Sequence, residues 1–532
     1  MKESKKTMSK GLTRRDLLKA SGVALGGLAL GGAMIGSGAG KAHAGVACPT
    51  VGPCYPTNTP TQQYSYFSSL PQYFPNDPND QNVLLQDDEM RITFLGSMVP
   101  PVRRAQQEMS IFVEVGPWIY DPNHPGDPTY GHATDGFVFD CGSGVCANYG
   151  AMNIGYGRMD KIFLTHLHAD HMSDLSHIYC FGPGGGRFSP LYVWGPGPSG
   201  VKSPRPPRRL YDDGTNAFCK NLREAMRWCT ESFSFQTSSY ESYTTPTRMS
   251  WGLPCKPIPV GDDPPDDGYA LVPIELDWTK VGGIAYNNPT TGVKITHFPV
   301  IHCRKGSIGY KLEWNGLSMI FSGDTKPEHL SIDQASNGGN GVDVFIHEMA
   351  LPPELWAMQM LHLHQPSSGP LWEAYVEDMK TIENSSHSPQ GAFGYLLSQI
   401  QRKPRLAVAT HFPTADDTVD CAMKSIQAHF PQGGYPVFGR DFIASFDLMV
   451  IKVFAGNPKP DIQQWRAMVP DFESSPLVST PTDLNTPKYW KWSVDSNGKP
   501  IKVGDPYAQI DTLTEIKPVD ENGNCNYRDD GY

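Results

Sequence analysis

Short apolar runs closed by glycine, proline or polar turns recur along the chain from about residue 91, and their brevity marks them as strands rather than helices. Residues 91–96, 110–115, 136–140 and 161–165 form a first set, with Asp140-Cys141-Gly142 turning the chain after the third. Residues 191–194 extend that set and end in Gly195-Pro196-Gly197-Pro198. A second set follows at 292–296, 307–313, 318–321, 342–346 and 406–410. Helical spacing is read at 172–179, 215–232 and 389–400. Strands and helices mixed in this way predict a layered α/β domain over residues 89–456.

Three stretches break the pattern. Residues 45–88 are rich in Pro, Asn, Gln, Tyr and Asp without a sustained period, and read as an extended arm. From about 201 to 285 the sequence turns Pro-, Tyr- and Ser-rich around its one helix, which reads as an insertion bordering the site. Residues 457–532 are polar and Pro-containing, with the cluster Tyr489-Trp490-Lys491-Trp492, and read as a C-terminal extension draped over the domain. No internal repeat is visible.

The 532 residues include 53 Gly and 48 Pro, which fits a domain with many loops. The first 44 residues read as an export signal outside the fold. Thr13-Arg14-Arg15-Asp16-Leu17-Leu18-Lys19 has the twin-arginine pattern, a Gly-rich weakly apolar stretch follows, and Ala42-His43-Ala44 offers a cleavage site. The expected location is therefore periplasmic or secreted, with no stable membrane span after cleavage. Removing residues 1–44 takes away eight Lys/Arg and two acids, leaving 36 basic against 53 acidic groups and a net charge of −17. An acidic body repels polyanions, which argues against a nucleic-acid partner and favours a small-molecule ester substrate. The 11 cysteines are an odd number. Cys48 with Cys54, or Cys141 with Cys146, lie close enough for local disulfides, and the absence of a Cys-x-x-Cys pair argues against a thiolate zinc site. Oligomeric state is not legible.

The chemistry concentrates at one strand end. Thr165-His166-Leu167-His168-Ala169-Asp170-His171 follows Ile162-Phe163-Leu164, so three of the 16 histidines and a carboxylate fall within six positions. Imidazole nitrogen and carboxylate oxygen are zinc ligands. His166 and His168 alternate as in a strand and can reach one ion; Asp170 and His171 fall where a helix begins and can reach a second. Further strand ends carry His302, Asp324 in a glycine turn, His347-Glu348, and His411. The two oxygens of a carboxylate such as Asp324 can bridge cations roughly 3.5–4 Å apart. Taken singly, a strand-end histidine is more often a hydrogen-bonded structural residue; the order of the set is what makes it specific.

That order, a strand followed by HxHxDH, an isolated His before Gly309-Tyr310, Phe321-Ser322-Gly323-Asp324-Thr325, His347-Glu348 and Thr410-His411-Phe412, resembles the metallo-β-lactamase superfamily, nearest to its ribonuclease Z and arylsulfatase branch. Phe94-Leu95-Gly96 with Arg104 downstream, and Val193-Trp194-Gly195-Pro196, fit the same branch. The chain is similar too to exported metallo-hydrolases labelled for guanitoxin biosynthesis, a label that defines no reaction. The resemblance covers about residues 89–415. It implies an αββα sandwich, here with an insertion and a C-terminal extension, holding two Zn²⁺ at one edge. It implies His166, His168 and His302 on the first zinc, Asp170, His171 and His411 on the second, and Asp324 between them. It also offers His387, in Ser386-His387-Ser388, as general acid, against the alternative of a helix-capping histidine on a surface loop. Glu348 could orient a ligand or His387, or form a structural salt bridge. His177, His297, His329, His362 and His364 are read as bystanders, with His364 the one that could overhang the site.

The implied activity is hydrolysis of a phosphodiester or sulfate ester by a metal-bridged hydroxide, since zinc lowers the pKa of bound water to roughly 7. Asp170 is expected to orient that group while ligating. Alternatives are a lactone or amide hydrolase of the same fold, or a catalytically silent metal-binding protein. A redox di-iron protein is a further alternative, disfavoured because such proteins prefer a carboxylate where His168 stands. Met349-Ala350, where the ribonucleases usually have Ala-Thr, the export signal and the acidic body all speak against tRNA processing.

Overall fold

A computed structural model describes residues 62–468, apart from 76–81, 101–104, 127–130, 188, 204–205, 235–267, most positions of 352–366, 415, 428, 431 and 457–460, together with 489–494, 496 and 500–505. The export signal, Cys48, Cys54, Arg104, His362 and His364 lie outside the described residues.

The first strands, β1 (Glu89–Gly96), β2 (Ser110–Tyr120) and β3 (Gly131–Phe139), pair antiparallel; β4 (Lys161–Phe163), β5 (Leu191–Pro196) and β6 (Leu271–Leu276) continue the sheet in parallel. The second sheet repeats the plan. In it β7 (Gly283–Asn288), β8 (Val293–Pro299), β9 (Ile308–Trp314) and β10 (Leu317–Phe321) are antiparallel, and β11 (Val344–Glu348), β12 (Leu406–Thr410) and β13 (Phe442–Ala444) are parallel. The chain then returns, and β14 (Met449–Phe454) and β15 (Ile462–Arg466) complete the first sheet beside β1.

Aromatic residues join the two sheets. Phe139 packs against Tyr310 and Phe321 at ring separations of 5.7 and 6.2 Å, and Phe163 meets Tyr310 edge-on at 5.6 Å while stacking on Trp194 at 4.6 Å. Each such buried ring contributes about 1.5–3 kcal/mol by burial, so this seam fixes the spacing of the sheets. The outer faces are covered by helices. Val145–Ala151, Leu175–Phe181 and Thr215–Ser234 cover the first sheet, and Gln390–Gln399 and Asp416–Gln427 the second. The expected αββα sandwich is the observed architecture. No helix of the described residues is long and apolar enough to cross a membrane.

Several local expectations are corrected. The helix expected over 172–179 is two helices, Ala169–Met172 and Leu175–Phe181. Asp174 breaks them, because its amide donates to the Cys141 carbonyl and its carboxylate accepts from the Cys146 amide. The expected insertion runs too far toward the C-terminus, since β6 and β7 belong to the two sheets. Pro273 in mid-run hides β6, yet β6 is an edge strand, where proline is tolerated. The arm expected over 45–88 contains the helix Gln62–Ser69, whose Phe67 is buried and meets Phe446 edge-on at 5.1 Å. The C-terminal extension supplies β15 and a separate hairpin of β16 (Tyr489–Val494) and β17 (Pro500–Asp505). Cys141 and Cys146 are free thiols, as are Cys180, Cys219, Cys229 and Cys303. Burial raises the pKa of Cys141 well above its ordinary value.

One buried carboxyl gives a stability prediction. Asp447 accepts from Ser97 Oγ, the Gln107 amide and Asn148 Nδ2, and burial nonetheless pushes its pKa up to about 7. A raised acid pKa means that the folded chain holds a proton that the unfolded chain has released. Its contribution is therefore full below about pH 4 and is lost as pH rises through 7, at roughly 1.4 kcal/mol per pH unit between them. Asp447→Asn is expected to flatten that slope in urea titrations run from pH 4.5 to 7; an identical slope in the variant would refute the assignment.

Candidate metal centre

The carboxyl ends of the central strands meet at one edge of the sandwich, where open α/β sheets place their ligands. His166 leaves β4, His168 has extended backbone and caps the four-residue helix Ala169–Met172, and Asp170 and His171 lie within that helix. Two glycines permit the approach. A Cβ on Gly142 would fall 2.1 Å from the Asp170 carbonyl oxygen, and one on Gly323, at φ 60°, would fall 2.6 Å from Thr165 Cβ. Asp324 follows β10, Glu348 ends β11 and His411 follows β12. His302 lies in the loop between β8 and β9. His411 and Asp140 both hold the left-handed φ of 56°, a conformation that costs non-glycine residues energy and concentrates at functional sites.

All seven expected ligand residues come together. One group is His166, His168 and His302; another is Asp170, His171, Asp324 and His411; within each, one ligand atom per residue lies within 4.8 Å of the others. His302 Nε2 faces His168 Nδ1 at 3.0 Å and Asp324 Oδ2 at 3.8 Å, and His166 Nε2 lies 4.0 Å from that same oxygen. On the other side, His171 Nε2 is 3.2 Å from Asp324 Oδ1 and 3.5 Å from Asp170 Oδ2. His411 Nε2 is 3.1 Å from Asp170 Oδ2 and 3.6 Å from Asp324 Oδ2. Ligand atoms about 2.1 Å from one tetrahedral zinc lie roughly 3.3 Å apart, so this spacing fits cation cages that share Asp324.

Unpartnered atoms argue the same way. His166 Nε2, His171 Nε2 and Asp324 Oδ1 are buried without a hydrogen bond, and all three point into this cluster. Buried polar atoms are almost always satisfied, so three orphans at one place call for a charge between them. Their electrostatics divide the site. Burial, then the neighbouring imidazoles, holds His166 well below its ordinary pKa, and burial takes His302 down to about 3, so the first group is neutral and ligand-ready. Burial alone would also lower His171, but Asp324, Asp170 and Asp140 outweigh it and raise its pKa. Asp324 is lowered despite its burial, by His411 and His171.

The outer ends of the imidazoles are anchored. His171 Nδ1 donates to Asp140 Oδ2 at 2.7 Å and His302 Nδ1 to the Ser386 carbonyl at 2.8 Å, which leaves each Nε2 facing inward. Asp140 was read from the sequence only as a turn residue. It is fully buried and also accepts from the Thr165 amide and hydroxyl, both at 2.8 Å. The available signal was an aspartate at a strand end one element before the histidine loop. We expect Asp140→Ala to weaken metal affinity by about 10–100-fold. Competition with a chromogenic chelator checks this, and unchanged affinity would count against it.

His387 is buried between the helices Pro370–Ser386 and Gln390–Gln399, not on a surface loop. Its Nδ1 donates to Glu348 Oε2 at 2.8 Å and lies 3.9 Å from Asp324 Oδ2, and its ring stacks on His411 at 5.6 Å. Burial opposes its charge, but Glu348 raises its pKa to about 9. The other oxygen of Glu348 accepts from the Thr325 amide. Of the alternatives for Glu348, orientation of His387 is the contact observed. His297 donates from Nε2 to the Asp277 carbonyl, and His177 packs on Phe181; both are away from the cluster.

No family model matches the chain. Ribonuclease Z of Mycobacterium bovis (strain BCG / Pasteur 1173P2) is 25% identical over 230 residues, which is 43% of this chain and 65% of that protein. Ribonuclease Z of Treponema denticola is 31% identical over 153 residues, 28% of this chain and 48% of that protein. The chain thus spans no more than 65% of the length of these relatives. Among solved structures, human short-form tRNase Z aligns at 16% identity and TM-score 0.36, covering 68% of this chain and 98% of that one. The metallo-beta-lactamase fold protein YhfI of Bacillus subtilis aligns at 13% and 0.39, covering 69% and 100%.

Proposed function

We propose that this chain, a metallo-β-lactamase-fold relative of ribonuclease Z, is a zinc-dependent hydrolase with two metals, acting on a phosphodiester or sulfate ester and exported by the twin-arginine route. The observation that carries the reading is the convergence of seven ligand-type residues on two adjoining clusters with three orphaned, inward-facing atoms. His166, His168 and His302 would hold one zinc, Asp170, His171 and His411 the other, and Asp324 would serve both. Bound there, zinc supplies Lewis acidity and an activated water near neutral pH.

The rest is the work of side chains. Asp140 and the Ser386 carbonyl keep His171 and His302 in the tautomer that turns Nε2 inward. Asp170, paired with His411 at 3.1 Å, stands where it can orient or accept the proton of the attacking water. His387 carries its proton at the edge of the second cluster, held by Glu348, and delivers it to the departing alkoxide.

The ribonuclease names of the relatives favour a second reading, an RNA phosphodiester, against the argument from the acidic body. A panel decides between them. Zinc-loaded protein is offered 4-nitrophenyl phosphodiesters, an aryl sulfate, a lactone, a β-lactam and an RNA with a 3′ trailer. Turnover of a small phosphodiester or sulfate without RNA cleavage supports the reading; RNA cleavage alone replaces the substrate, and no turnover of any of them overturns it.

A further inference from the structure

A cavity of about 80 Å³ opens beside the first histidine group, lined by His166, His168 and His302 and by Arg304 and Lys305 from the loop that follows His302. Neither His411 nor His387 lines it. That volume has room for a small charged group. Arg304 is anchored although 48% of its side chain is exposed. Arg304 pairs with Asp213 through Nη2, and its guanidinium lies 5.2 Å from the ring centre of Tyr211. Asp213 is itself fixed by the Ser199 amide at 2.9 Å and hydroxyl at 2.7 Å. The ion pair uses one edge of a guanidinium that has five N–H donors, so Arg304 is held in place with donors to spare. Tyr211 and Asp213 come from the segment that interrupts the strand pattern, which gives that segment a task at the site.

We propose that this cavity is a subsite for an anionic substituent of the ester, recognised by Arg304 and Lys305. The proposal rests on the hydrolase reading above and adds the substrate's charge pattern. A carboxylate and a further phosphate or sulfate share the required chemistry, a compact oxyanion able to take charge-assisted hydrogen bonds.

Calorimetric titration of zinc-loaded protein with phenylphosphonate and with 3-carboxyphenylphosphonate tests this without turnover. The phosphonate engages the metal centre, and the ring carries the carboxylate within reach of the cavity. The wild type is expected to bind the carboxylated probe about tenfold more tightly or better. Arg304→Ala/Lys305→Ala, checked for unchanged zinc content, should bind both probes equally, with phenylphosphonate within about twofold of wild type. Arg304→Lys should keep part of the preference. Equal binding of the two probes by wild type, or a preference that survives the double substitution, overturns the subsite. Turnover on the same preparations is read separately, so an inactive protein that shows the binding gap sinks the hydrolase reading and leaves the subsite.

Discussion

Asp324→Ala is expected to remove metal and activity together, with bound zinc falling from two to at most one per chain and ester hydrolysis dropping by roughly a thousandfold or more. Asp324 is 2% exposed and stands between the clusters, its Oδ1 facing His171 and its Oδ2 facing His166, His302 and His411. Among the described residues no other carboxylate is placed to serve both groups: Asp170 pairs with His171 and His411 of the second, and Glu348 is engaged by His387 and the Thr325 amide. Its loss leaves several buried imidazoles facing one another without the charge that compensates them, a change that cannot be absorbed cheaply in a low-dielectric interior. Elemental analysis after dialysis and hydrolysis of a chromogenic ester check both halves. Full activity in a metal-depleted Asp324→Ala protein would refute the assignment.

His387→Ala is expected to do something different. The turnover number should fall by about 10²–10⁴ with zinc content unchanged, the result that follows if the imidazole delivers a proton and holds no ion. The loss should shrink for esters of acidic phenols, whose anions leave without protonation, and grow for alkyl esters. Glu348→Gln should give a smaller loss of the same kind, since it weakens the 2.8 Å contact that orients the ring without removing it. A loss independent of the leaving group, or one that tracks loss of zinc, would instead place His387 among the ligands. That competing role has a structural basis, because Asp324, Glu348, His387 and His411 also form a compact group of ligand-type atoms.

Much of this site was legible in the chain because strand ends are. A run such as Ile162-Phe163-Leu164 must be buried, so whatever follows it emerges at a sheet edge, and His166, His168, Asp170 and His171 follow directly. The same logic located Asp324 and His411. Asp140 was missed because an aspartate before Cys-Gly has an ordinary turn explanation, and only tertiary packing sets it 2.7 Å from His171. The cavity was missed for a related reason. Nothing in the sequence around Arg304 and Lys305 points to Asp213 and Tyr211, about 90 residues upstream, which meet Arg304 only in the fold. In the fold, β6 was hidden by Pro273 and β7 by the polar run Tyr286-Asn287-Asn288, both acceptable only because these are edge strands. Local pattern cannot say which strand will be an edge.

Crystals of the zinc-loaded protein, measured on both sides of the zinc absorption edge, test the central claim most directly. Two anomalous peaks are predicted, roughly 3.5–4 Å apart. One should lie among His166, His168 and His302 and the other among Asp170, His171 and His411, with Asp324 between them. A map with no peak there, or with zinc only at surface histidines, would contradict it.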